Sequence, residues 1–186
     1  LERNAERLGS NIMALKIGKN DRFERMYMAR FRGIAAGFGE FVEYERDRAA
    51  RDIGLHFVSK KNNGGEIVSP SLVWFQMKGV QQDALSKAAF DSLETLNISL
   101  KVEHLRFWYI APEPTYLTLY VEAVDRFFVL NIQKYVADNY GDKILTLDQK
   151  TLTVRISKDS VLDEQAFSLI KQRRSVEAWK SRIEEG

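Results

Sequence analysis

Two stretches decide how this chain is read: "RDIGLHFV" at residues 51–58 and "VWFQMKG" at residues 73–79. Each is rich in β-branched and aromatic residues, and "KNNGGE" at 61–66 supplies turn residues suited to positive φ between them. The expectation is a β-hairpin whose second strand, "IVSPSLVWFQMKGV" at 67–80, is interrupted by Pro70, since proline lacks an N–H and suits an edge or a strand start rather than a strand's middle. Alternate residues of a strand share a face, so Gln76 and Lys78 point the same way. Polar groups at a strand border (Asp52, His56) and inside the next strand (Gln76, Lys78) raise the question of whether they meet.

Working outward, residues 21–36 place apolar side chains at helical spacing (Phe23, Met26, Tyr27, Phe31, Ile34), with Asp21 as N-cap and Gly37 and Gly39 as the stop. "EFVEYERD" at 40–47 reads as a strand. "TLNISLKVEHLRFWYIA" at 95–111 alternates and then turns helical from Val102. "PTYLTLYVEAV" and "RFFVLNI" form a strand pair hinged at Asp125, "KYVADNYG" is helical, and "TLTVRI" at 151–156 is a short strand. A last helix over 163–185 has an apolar stripe that breaks between Ile170 and Val176. The order predicts an α/β or α+β sheet flanked by helices. Residues 1–20 read as an arm, 21–170 as the domain, and 171–186 as a helical extension that packs on the arm or faces a partner.

Composition narrows the classes. The 186 residues are 45% hydrophobic and 29% charged, which is globular. The net charge of +2 does not advertise a nucleic-acid binder, though a basic groove can hide in a balanced total. Cysteine is absent, which excludes thiolate metal sites and fits a reducing, cytoplasmic setting. No apolar run is long enough for a bilayer helix, so no membrane partner is expected. The chain begins with Leu, as a piece of a longer protein would. There is no phosphate-binding loop, dinucleotide glycine fingerprint or nucleophile elbow to suggest a small-molecule enzyme.

Asp52 or His56, with Gln76 and Lys78, suit metal-assisted phosphodiester hydrolysis, provided that the imidazole, amide and ammonium groups converge on one pocket. Hard cations take oxygen ligands, and a lysine beside them orients water or offsets charge on phosphorus. The layout resembles the PD-(D/E)XK restriction-endonuclease-like superfamily, in particular its Mrr-like branch, where D-x-G-x-D precedes a strand and Q-x-K lies in the next. More narrowly it resembles a bacterial family of domains of unknown function (number 4365), through "RDIGLHFV", "GEIVSPSLVWFQMKG", "NISLKVEHLRFW", "APEPTYLTLYVEAVDRFFVLNI" and "KTLTVRIS". The resemblance covers residues 21–170 and implies an α/β fold with a mixed central sheet flanked by helices. It implies DNA cleavage in defence against foreign DNA, as a module of a larger protein or complex. It also implies Mg²⁺ or Mn²⁺ at Asp52, His56, Gln76 and Glu24, with Lys78, Gln76 and His56 as the catalytic groups.

By that resemblance His56 stands where the principal metal-binding Asp is expected. Imidazole suits softer ions than Mg²⁺. Three outcomes follow: a dead site kept for DNA or protein binding, a weakened Mg²⁺ or Mn²⁺ site completed by Asp52 or Glu24, or His56 as a softer metal's ligand or a base. Plainer readings stand beside these. Gln-x-Lys can be a half-exposed strand face, Asp52 with Gly54 a tight turn, and His56 a structural hydrogen bonder. Arg51, Lys60 and Lys61, with Arg46 and Arg48, are candidate phosphate contacts or parts of a mixed-charge surface. His104, Trp74, Phe75, Trp108 and Tyr109 read as packing residues.

Overall fold

The computed structural model describes residues 19–43, 51–61 and 63–184, with side chains from residue 175 onward left out. The arm at 1–18, the 44–50 segment with Arg46 and Arg48, and the side chains of Val176, Trp179 and Ile183 therefore lie outside the described residues.

A helix α1 (Lys19–Ala35) leads into three strands, β1 (Gly39–Val42), β2 (Ile53–Lys60) and β3 (Glu66–Val80). After a short α2 (Lys87–Ser92) come β4 (Thr95–Lys101), α3 (Val102–Ile110), β5 (Thr115–Val121) and β6 (Arg126–Asn131). The chain continues through α4 (Ile132–Asn139), α5 (Lys143–Thr146), β7 (Thr151–Ser157) and α6 (Glu164–Glu184). Among the described residues the main sheet has the order β1-β2-β3-β5-β6, while β4 and β7 pair separately. β1, β2 and β3 form an antiparallel meander, β5 runs parallel to β3, and β6 returns antiparallel to β5. The sheet is mixed and flanked by helices, as expected.

Side-chain alternation splits the core in two. Val73, Phe75 and Met77 of β3 pack with Tyr27 and Phe31 of α1 and Phe167 of α6. The other face of β5 carries Leu117, Leu119 and Val121 into a second core with Leu105 and Trp108 of α3, Val136 of α4 and Ile156 of β7. Gln76 and Lys78 are the register partners of Leu117 and Leu119, so they belong to this second face.

Two local details differ from the sequence reading. α1 begins two residues before Asp21, which sits in the first turn, where its charge still complements the helix dipole. β3 passes straight through Pro70 as a 15-residue strand. It can do so because β5 reaches β3 only from Trp74 onward, and the β2–β3 register shifts between His56 and Val58. The missing N–H thus falls at a bulge on an otherwise open edge. α6 runs through residue 171, as the reading of one last helix expects, and the Lys171 ammonium donates to the Val58 carbonyl at 2.7 Å.

Candidate functional site

The ladder between β2 and β3 fixes who meets whom. Ile53 is opposite Phe75, Gly54 opposite Trp74 and His56 opposite Leu72. Asp52 donates its backbone N–H to the Phe75 carbonyl at 3.1 Å, and there β2 parts from β3. The next outward-facing N–H of β3, on Met77, has no strand to bond. The Asp52 carboxylate takes that place: Oδ2 accepts Met77 N–H at 2.6 Å and the Gln76 side-chain amide at 2.7 Å.

Gln76 is buried, at 5% exposure. Its Nε2 also donates to the Met77 carbonyl at 3.3 Å, so two oxygens converge on that nitrogen and orient the amide. Its Oε1 is buried with no hydrogen-bond partner. A buried acceptor left unpaired is costly, on the order of 1–3 kcal/mol, and such an atom calls for an explanation. Lys78 lies one step further along the same face, ~6–7 Å from Gln76 by strand geometry. It is exposed and makes no hydrogen bond or ion pair among the described residues.

The expectation that His56 joins this group is corrected by the register. His56 shares the face of Asp52 and Gln76, but it lies four residues down β2 from Asp52, roughly 13 Å at strand rise. Its Nδ1 is 2.9 Å from the Ser69 carbonyl, at the bulge. The imidazole fastens the irregular part of the hairpin. Asp52, assigned to the motif's other acidic position, is the carboxylate that meets Gln76.

Two further expectations change. Arg51, a candidate phosphate contact, is buried at 5% exposure. Its guanidinium lies between the rings of Trp74 (5.5 Å to the centroid) and Phe107 (5.2 Å), and pairs with Glu113 at 3.2 Å. Lys60 and Lys61 are exposed at the hairpin tip, eight residues or more from Asp52 and so ~26 Å away. They border the hairpin, not the fork.

Glu24 stands on the exposed side of α1. The Tyr27 phenol is pushed above its ordinary value by burial first, then by the charges of Glu24 and Asp52. Both carboxylates therefore act on one phenol, yet no three His, Cys, Asp or Glu side chains among the described residues gather around one ion position. Gly54 has a packing reason: a Cβ there would lie 3.0 Å from both Leu72 Cδ1 and the Trp74 ring. The aromatics at Trp74, Phe75 and Trp108 are buried, and His104 rests 5.8 Å from the Trp108 ring.

The main chain of Met77 and the Arg51–Trp74–Phe107–Glu113 cluster were missed from sequence. Main-chain atoms leave no residue-type signal. A glycine spaced to face a tryptophan across a hairpin was the one hint of the cluster. Comparison with protein-family models finds no match, and neither does comparison with curated proteins. No helix among the described residues is long and apolar enough to cross a membrane.

Proposed function

We propose that this domain is a divalent-metal-dependent DNA phosphodiesterase, a module of a larger bacterial defence protein, whose site is the fork between β2 and β3. The observation that carries the reading is the buried, unpartnered Oε1 of Gln76 beside the Asp52 carboxylate, with Lys78 on the same face. The donors on offer are a carboxylate, a side-chain amide oxygen and the Met77 carbonyl. This all-oxygen set fits Mg²⁺ or Mn²⁺ and disfavours softer ions. One formal negative charge is little for a divalent ion, so the substrate phosphate itself would complete the set, as is common for Mg²⁺ sites.

When bound, the ion supplies Lewis acidity at phosphorus and a water of lowered pKa. Asp52 and Gln76 would hold it. Lys78 orients the attacking water and offsets charge building on the non-bridging oxygens. His56 takes no part.

A second reading has an observation of its own. Asp52 Oδ2 is already engaged by Met77 N–H and the Gln76 amide, so the fork is also a closed structural lock. A nuclease-like fold kept for DNA or protein binding would show this. Plasmid nicking separates the two. The phosphodiesterase reading expects nicking with Mg²⁺ or Mn²⁺ by the native chain, lost in Lys78→Ala and in Asp52→Asn and kept in His56→Ala. DNA retention without nicking in all four proteins supports the binding module.

A further inference from the structure

We infer that Arg51 is a positioning residue for Asp52, holding the carboxylate at the fork through a buried cation cage. Arg51 immediately precedes Asp52, and the cage consists of Trp74 on β3, Phe107 on α3 and Glu113 in the connection before β5. Nη1 donates to Glu113 Oε2 at 3.2 Å and Nη2 to the Glu113 carbonyl at 3.3 Å. A planar guanidinium stacked on rings and bonded at two points fixes orientation in a way that ammonium does not.

The position matters because Asp52 sits where β2 loses its ladder. The ladder ends with the bond of the Asp52 N–H to the Phe75 carbonyl. Arg51 holds residue 52 from one side, and the Met77 N–H holds its carboxylate from the other. The cage also ties the entry of β2 to the entry of β5, since Trp74 N–H bonds the Pro114 carbonyl at 2.9 Å, next to Glu113. Two strands that flank β3 are thereby registered on the same point of it. Gly54 leaves room for the Trp74 ring that forms one wall.

The inference deepens the reading of Asp52 as the ion-holding carboxylate, and its first readout does not depend on turnover. The Met77 amide has the Asp52 carboxylate as its acceptor, so its hydrogen exchange reports directly whether Asp52 is in place. The amides of Val129 and Leu162, bonded to Ser160 and Phe127 on the far side of the sheet, report general loosening. Exchange is measured by NMR on the native chain, Arg51→Met, Arg51→Lys and Glu113→Gln. The expected result is Met77 exchange accelerated about tenfold more than Val129 and Leu162 in Arg51→Met, with Arg51→Lys and Glu113→Gln between it and the native chain. Should Arg51→Met not fold, the two milder variants carry the measurement. Met77 exchange that rises no more than the two reference amides in every folded variant overturns the inference. In the nicking assay, Arg51→Lys should need several-fold more Mg²⁺ for half-maximal rate, with the rate at saturating metal held within about twofold; an unchanged Mg²⁺ requirement contradicts a positioning role. A native chain that never nicks overturns the phosphodiesterase reading, and the exchange result then decides the inference alone.

Discussion

The fork and the bulge of the β2–β3 ribbon put polar side chains on one face of one sheet and use them in opposite ways. At the bulge, His56 meets the Ser69 carbonyl, a bond that secures an irregular turn of the hairpin. At the fork, Asp52 replaces a missing strand, and the amide it grips still carries a buried oxygen with no partner. The contrast teaches that a motif on a strand is read through its register. Asp-x-Gly-x-His spans four residue steps of an extended chain, about 13 Å. Its two polar ends cannot close on one small ion whose ligands sit at ~2.0–2.6 Å.

The largest expected effect belongs to Lys78. Lys78→Ala should lower metal-dependent nicking by roughly 100-fold or more, the usual scale for removing one group that stabilises transition-state charge. Because Lys78 is exposed and unpaired among the described residues, thermal unfolding should stay within about 0.5 kcal/mol of native. His56→Ala should leave nicking within about twofold, and His56→Asp should not raise it. A gain of cleavage in His56→Asp would return the imidazole to the centre of the account.

Stability sharpens the same contrast. Asp52→Ala strands the Met77 N–H and the Gln76 amide, and should cost on the order of 1–3 kcal/mol in denaturant titration. His56→Ala loses one hydrogen bond, worth ~0.5–1.5 kcal/mol. Equal costs would mean that the fork is no more constrained than the bulge. Gly54→Ala should fall in the range of roughly 1–3 kcal/mol typical of overpacking, since Leu72 and the Trp74 ring must move. The Trp74 fluorescence should shift with it.

The smallest effect is a pH dependence away from both ends. Tyr120 is pushed up to about 12 by burial and by its hydrogen bond to Asp125, against the pull of Arg30. Its folded value lies above its unfolded one, so its stabilising contribution is intact below pH ~10 and is lost as the pH rises toward 12. The melting temperature should therefore fall across that window, and less steeply in Tyr120→Phe.

How much of this the sequence revealed differs between fold and site, for physical reasons. Alternation placed β4 and β7, and helical spacing placed α1, because each buries one face and the pattern records it. Pro70 was misleading, since its meaning depends on whether a second strand lies alongside at that point, and β5 arrives only at Trp74. The candidate residues Asp52, Gln76 and Lys78 were visible as residue types on neighbouring strands. Their grouping was not, because register is set by the hairpin's bulge and the packing of Trp74 over Gly54. Arg51 looked like surface charge beside Arg46 and Arg48. Its burial depends on Phe107 and Glu113, more than fifty residues away, and no local pattern encodes that encounter.

The central claim is that Asp52 and Gln76, without His56, form the ion-holding end of the ribbon. Titrating Mn²⁺ into ¹⁵N-labelled protein tests it most directly, since the ion's unpaired electrons broaden nearby amide signals whether or not DNA is cut. The account predicts that Asp52, Gln76, Met77 and Lys78 fade first, with broadening falling off along β2 toward His56. Signals of His56 and Ser69 fading first, or no selective broadening anywhere along β2 and β3, would contradict it.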